Sequence, residues 1–305
     1  MSFVEALHEI LNDKLLLYVG VPLFLVLLVI EYVVDRKRKL GLYENKDMIT
    51  SIAMGLFSLI VEFIPKVLFF MAFFYIYKAN VFGLNEFMDR SHWWAWVILL
   101  FADDFAYYWF HRMNHEVRLF WAGHISHHSS VHLNFGTALR QGVGERLHKF
   151  FFWLWIPMLG FDPVMMFTMM SINLIYQYFT HTEFIRRMPS WYEAVFNTAS
   201  HHRVHHASQA RYLDRNHAGV FIIWDKIFGS FTPELDSDKP KYGLTKNIES
   251  NNWIYVATHE YGAIWRDVKR ADKLMDKLKY IFYSPGWSHD GPDLRAKTLR
   301  NQVRD

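Results

Sequence analysis

The chain has 305 residues, 52% hydrophobic and 18% aromatic, and its 33 Lys and Arg against 30 Asp and Glu give a net charge of +3. So small a balance, with no basic run interleaved with aromatics, argues against nucleic acid as a partner. Cysteine is absent, which excludes disulfides, thiolate metal sites, iron–sulfur clusters and cysteine nucleophiles, and leaves any metal to His, Asp or Glu.

In chain order, the first element is "LLLYVGVPLFLVLLVIEYVV", residues 15–34, long enough to cross a ~30 Å hydrocarbon core. It is too long for a signal peptide, and no small-residue cleavage site follows. "DRKRK" (35–39) comes directly after it and places this end in the cytoplasm by the positive-inside rule. A second apolar region, 48–79, contains Glu62, Pro65 and Lys66 and exceeds one upright span, so it is expected to be tilted, kinked or broken at Pro65. Residues 81–90 form a short loop, and "HWWAWVILLFADDFAYYWF" (92–110) returns to the cytoplasmic face. The apolar stretch 150–180, broken by Pro157, Gly160, Asp162 and Pro163, predicts a helical hairpin in the membrane. Beyond His181 the chain is polar apart from short pieces such as 219–231. The charged tail 267–305 is expected to be a peripheral helix with a disordered end. The fold class implied is all-α: a membrane bundle of four to five segments with a cytoplasmic His-rich cap, divided into a membrane region (1–91), a catalytic domain (92–235) and a peripheral tail (236–305).

Three histidine groups carry the chemical signal. "HRMNH" places His111 and His115 at i, i+4 on one helix face. "HISHH" (His124, His127, His128) and "HRVHH" (His202, His205, His206) repeat the spacing i, i+3, i+4, which aims at least two imidazoles at one point. With 17 His in the chain, one H-x-x-H-H is expected only about 0.05 times by chance. Eight imidazoles exceed the needs of one zinc ion and fit two metal ions, whose identity the ligand type leaves open among Zn, Cu, Fe and Ni. His181, in "QYFTHTEF" at the end of the hairpin, is a candidate ninth ligand. Isolated His8, His92, His259 and His289 read as structural, His148 as an interfacial side chain, and His132 and His217 lean structural. No dinucleotide fingerprint or P-loop is present.

The order H-x-x-x-H, H-x-x-H-H, H-x-x-H-H, with a membrane hairpin between the second and third, resembles the fatty acid hydroxylase/sterol desaturase superfamily of integral-membrane di-iron oxygenases. "DFAYYWFHRMNHEVRLFWAGHISHHSS", "LNFGTALRQG", "YQYFTHTEFI", "NTASHHRVHHA" and "NHAGVFIIWDKIFGSF" are most similar to its alkylglycerol monooxygenase-like branch, over roughly residues 90–235. The resemblance implies two iron ions held by His111, His115, His124, His127, His128, His202, His205 and His206, with His181 as a further ligand. Asp104, Glu183, Asn216 and Asp225 stand in family-like motifs and are expected to orient imidazole N–H groups. It further implies O2-dependent hydroxylation of a lipid alkyl or acyl chain or a sterol, with ether cleavage or desaturation as variants of the same oxidation. Electrons must then come from an external partner such as a ferredoxin, a b-type cytochrome or a tetrahydropterin, because no flavin or nicotinamide motif is present. Two rival classes stand beside this reading: a His-rich membrane metal carrier, which predicts polar residues along several spans, and a zinc-dependent lipid hydrolase, which needs no oxygen.

Overall fold

A computed structural model describes residues 2–304, with the Arg304 side chain outside the description. The fold is all-helical, and among the described residues only isolated β-bridges form, such as Phe196 with Phe221. The N-terminal helix α1 (Phe3–Leu11) starts at a reciprocal cap in which Ser2 and Glu5 bond each other's backbone. A widened turn over Leu16–Gly20 leads into α2 (Val21–Arg38), which ends where Lys39 adopts the left-handed conformation at φ 55°. The apolar stretch Phe3–Arg38 is the one unbroken segment among the described residues with the length and composition to cross a membrane. The pair α3 (Asn45–Val61) and α4 (Phe63–Ala79) passes the same test as one bent unit. Their axes diverge by 47°, and the break falls at Glu62 rather than at Pro65, which sits in the first turn of α4 where its missing N–H costs nothing. Leu25, Val29, Leu56, Ile60, Ile64 and Leu68 stand exposed on the outside of these helices, a face suited to lipid.

The long helix α5 (Trp93–Glu116) follows, and the single extended residue Val117 turns the chain into α6 (Arg118–His128). The predicted hairpin is only half regular. Its entering arm is α7 (Glu145–Lys149), one 3-10 turn over Phe150–Trp153 and α8 (Trp155–Met158), none long enough to span a bilayer. Its returning arm, α9 (Pro163–Tyr178), is a true helix capped by Asp162. The entering arm tucks into the core instead, with Trp153 and Ile156 buried against α4 and α5, because Trp153 donates to Asp103 at 2.7 Å and bulky aromatics fill the space a straight helix would need.

The polar half holds α10 (Ser190–Val195), α11 (Ala199–His205), α12 (Ile223–Ile227), α13 (Trp253–Arg270), α14 (Leu274–Phe282) and α15 (Ala296–Arg304). The tail is helical over α14, as expected, and its end is helical too, over α15, where disorder was expected. Arg118 of α6 pairs with Glu260 at 2.7 Å and Asp267 at 2.8 Å of α13, and α15 packs on the turn Ala210–Tyr212, so its charges are used in docking.

Two buried carboxylates tie the apolar half to the polar one. Glu31 of α2 accepts from Phe135 N at 2.8 Å, Tyr43 Oη at 2.5 Å and the Thr182 hydroxyl, fixing the segment that carries His181. Asp104 of α5 accepts from Val220 N (2.6 Å), Phe221 N (2.9 Å) and Trp224 Nε1 (3.0 Å), fixing the loop after α11. Gly219 is required here, since a Cβ would lie 2.7 Å from Asp104 Oδ1.

Candidate metal centre

Four segments deliver imidazoles to one buried layer. The last turns of α5 carry His111 and His115, α6 carries His124, His127 and His128, the turn after α9 carries His181, and α11 with its C-terminal residue carries His202, His205 and His206. All nine are at most 7% exposed, so each was taken from water into a place where bare nitrogen is costly. They sort into two sets whose ligand atoms lie within 4.8 Å of one another: His111, His115, His124, His128 and His205 in one, and His127, His181, His202 and His206 in the other.

Each H-x-x-H-H motif serves both sets, in opposite senses. On α6 the i, i+4 pair His124 and His128 faces the first set and His127 the second; on α11 the i, i+4 pair His202 and His206 faces the second set and His205 the first. The sets adjoin, with His128 and His206 stacked at 4.4 Å between ring centroids.

The outward nitrogens decide what the inward ones are. His111 Nδ1 faces His217 O at 2.8 Å, His205 Nδ1 faces Arg215 O at 2.9 Å, His181 Nδ1 faces Gln177 O at 2.9 Å and His127 Nδ1 faces Arg140 O at 3.3 Å. A carbonyl only accepts, so each Nδ1 carries the proton and each neutral ring turns an unprotonated Nε2 inward. His115 Nδ1 meets Asp214 Oδ1 at 3.2 Å, and His124 Nδ1 lies 3.3 Å from Glu145 Oε1, with the same consequence. Bare nitrogens then confront each other: His181 Nε2 and His127 Nε2 at 3.2 Å, His111 Nε2 and His124 Nε2 at 3.1 Å. Two lone pairs at that range repel unless a cation sits between them. Two nitrogens about 2.1 Å from one ion and at right angles to it are about 3.0 Å apart, which these separations match. His115 Nε2 and His205 Nε2 are buried with no hydrogen-bond partner, as ligand atoms would be. The donor set therefore fits metal, and the two sets offer room for two ions.

Burial, followed by the proximity of other imidazoles, holds His127, His128, His202, His205 and His206 well below the usual imidazole range. Burial also pushes His181 down to about 4. At neutral pH these rings are uncharged, the form that ligates metal.

All nine histidines read from the sequence meet in this layer, His181 included. The four residues expected to orient imidazole N–H groups do not touch an imidazole nitrogen. Asp104 and Asp225 bond backbone amides instead, Asp225 those of His217 and Ala218 at 2.8 Å each. Asn216, at φ 56°, bonds His201 O and Thr232. Glu183 sits beside Arg203 and the Tyr242 hydroxyl. The reason is topological: carboxylates in the motifs lie one layer out, where they shape the loops whose carbonyls meet the rings. The partners that do meet rings are Asp214, Glu145 and four backbone carbonyls, and carbonyls carry no signal in a sequence. His217 is 1% exposed and packs at 5.0–5.8 Å from His115, His111 and His205, but its own carbonyl, not its ring, is the group that bonds His111. His148 is stacked on Phe120 at 4.0 Å and bonded to Asn114 at 2.6 Å, an internal role rather than an interfacial one.

Comparison with known proteins agrees with this layout. Residues 96–230 match the fatty acid hydroxylase family, and this range contains all nine histidines. The alkylglycerol monooxygenases of Homo sapiens, Danio rerio and Xenopus tropicalis are 37%, 35% and 38% identical over 277, 274 and 275 residues. These alignments cover 90%, 90% and 89% of this chain and 60%, 60% and 59% of those proteins, so the chain spans about three fifths of their length. No solved structure matches. By its 96–230 domain and by these relatives, the chain belongs to the fatty acid hydroxylase superfamily, on the branch of the alkylglycerol monooxygenases.

Proposed function

We propose that this chain is an integral-membrane, O2-dependent monooxygenase that hydroxylates a lipid alkyl chain at a di-iron centre. Residues 92–235 serve as its catalytic domain, and the imidazole layer faces the cytoplasm. The observation that carries the reading is the pair of adjoining imidazole sets with bare nitrogens facing one another. His111, His115, His124, His128 and His205 would hold one iron, and His127, His181, His202 and His206 the other. Iron bound there supplies reduction of O2 and oxidation of an unactivated C–H bond.

What the chain itself contributes is orientation and dryness. The carbonyls of Arg140, Gln177, Arg215 and His217, with Asp214 and Glu145, stand behind six of the nine rings and turn their Nε2 atoms inward. A carrier needs ligands it can release, whereas these are fixed from behind and fully buried; this disfavours the transport reading. One oxygen atom of O2 enters the substrate and the other leaves as water, which requires two electrons and two protons from an external donor: a ferredoxin, a b-type cytochrome or a tetrahydropterin. The relatives' name points to a glycerol ether as substrate. Hydroxylation of the carbon next to the ether oxygen gives a hemiacetal, which separates into an aldehyde and the glycerol.

The test is metal analysis together with turnover. Protein purified in detergent should contain two irons per chain and, given O2, reductant and an alkylglycerol, should release aldehyde through a product 16 mass units heavier. A single zinc per chain, or lipid cleavage without oxygen, would overturn the reading.

A further inference from the structure

The outer face of α14 is uncovered among the described residues. Leu274, Met275, Leu278 and Phe282 are 72%, 61%, 40% and 54% exposed. At 100° per residue these four occupy an arc of about 100°, while Tyr280, on the opposite side, is buried. Lys277 and Lys279 flank the arc on its two edges, and Lys279 lies over the rings of Tyr283 and Trp287 at 5.6 and 5.3 Å. On the adjoining helix α13, exposed Trp265 carries Lys269 at 4.8 Å.

We infer that α13 and α14 form a membrane-surface platform that seats its apolar arc in an anionic bilayer, with the flanking lysines at the lipid phosphates. The charge pattern is the first reason: apolar side chains bordered on both edges by lysines match acyl chains below a phosphate layer, because lysine stems lie along apolar surface while the ammonium stays at the head groups. Adjacency is the second. Trp253, the first residue of α13, packs on Phe57 of α3 at 4.8 Å, and the residues next to each in sequence, Ile254 and Tyr255 on α13 and Leu56 on α3, are exposed. A soluble redox partner would have no need of an apolar arc on a helix pair that begins against an apolar helix of the bent pair α3 and α4. The platform has a consequence for the metal layer. Arg118, bridging to Glu260 and Asp267, ties α13 to the helix that bears His124, His127 and His128, so bilayer contact sets the height of the imidazoles above the lipid.

The inference rests on the membrane-bound reading, and one experiment separates the two. The chain contains no cysteine, so Met275→Cys, Leu56→Cys and Asp236→Cys each give a single site for a nitroxide label. Asp236, 84% exposed, reports water, and Leu56 reports the span. In nanodiscs of phosphatidylcholine with phosphatidylglycerol, a label at 275 should be open to O2 and roughly fivefold less accessible than one at 236 to a water-soluble nickel relaxant. Adding Lys277→Gln and Lys279→Gln should return it toward water. If 275 is as accessible to nickel as 236 while 56 is in lipid, the platform is overturned and the membrane reading stands. Immobilisation of such a water-exposed label by added ferredoxin would assign the face to a protein instead. If 56 is also in water, the membrane reading fails and the platform with it.

Discussion

The two imidazole sets are unequal in number and in how firmly they are held. In the set of five, His111, His115 and His205 each hydrogen-bond an outer partner, a carbonyl or Asp214, and His124 Nδ1 has the Glu145 carboxylate 3.3 Å away outside hydrogen-bond geometry. In the set of four, His127 and His181 are braced by carbonyls, and His202 Nδ1 is buried with no hydrogen-bond partner. An imidazole whose outer nitrogen is bonded has its tautomer and its rotation fixed before metal arrives; one without must settle both on binding. The contrast is one of degree: three of the five rings in one set and two of the four in the other are braced before an ion arrives, and only the set of five also has carboxylates, Asp214 and Glu145, beside its rings.

The largest test of that contrast removes one ligand from each set. His205→Ala and His202→Ala should each reduce bound iron from two to one per chain, and turnover should fall at least about 1000-fold in both. Retention of both ions in either variant, measured by metal analysis, would show that the sets do not act separately.

Acid should act next. Burial holds the metal-free rings of His111, His115, His127, His128, His202, His205 and His206 below the ordinary 6.5, and His181 at about 4, so between those limits the unfolded chain binds more protons than the folded one. Stability of the metal-free protein is therefore fully present above about 6.5 and is lost as pH falls toward about 4. Thermal melts of apo protein across this window should show the decline, and bound metal should suppress it.

Gly142→Ala places a Cβ 1.6 Å from Gly123 O on α6, so the loop bearing the Arg140 carbonyl must leave its seat under His127. A loss of about 3 kcal/mol is expected, read by denaturant unfolding. Asp214→Asn and Glu145→Gln should weaken only the set of five, about 10- to 100-fold in metal affinity. In wild type a chelator should strip the set of four first; in these variants that order should vanish. At the small end, Arg187→Ala breaks an exposed pair with Asp236 and should change stability by less than about 0.5 kcal/mol.

Periodicity made the ligand layer legible: i, i+3, i+4 spacing repeats the geometry of a helix, and His181 was marked by its place after a proline-broken hairpin. The entering arm of that hairpin was misread because hydropathy reports whether a segment avoids water, not whether lipid or protein covers it, and Trp153 and Ile156 are covered by protein. Only the end of the tail departs from expectation, for the converse reason: charge that looks solvated in isolation is used when Arg300 of α15 donates to the Leu213 carbonyl beside the turn Ala210–Tyr212.

By itself, then, the sequence determined which residue types could hold metal, that most of them would lie on helices, and that no thiolate could take part. Those properties follow from composition and from spacing along one element. Tertiary structure alone decided how the nine rings divide five to four, why each H-x-x-H-H motif splits between both sets, and which carbonyls aim the ring nitrogens. Backbone carbonyls are present at every residue, and only the folding of distant segments against one another selects the few that matter.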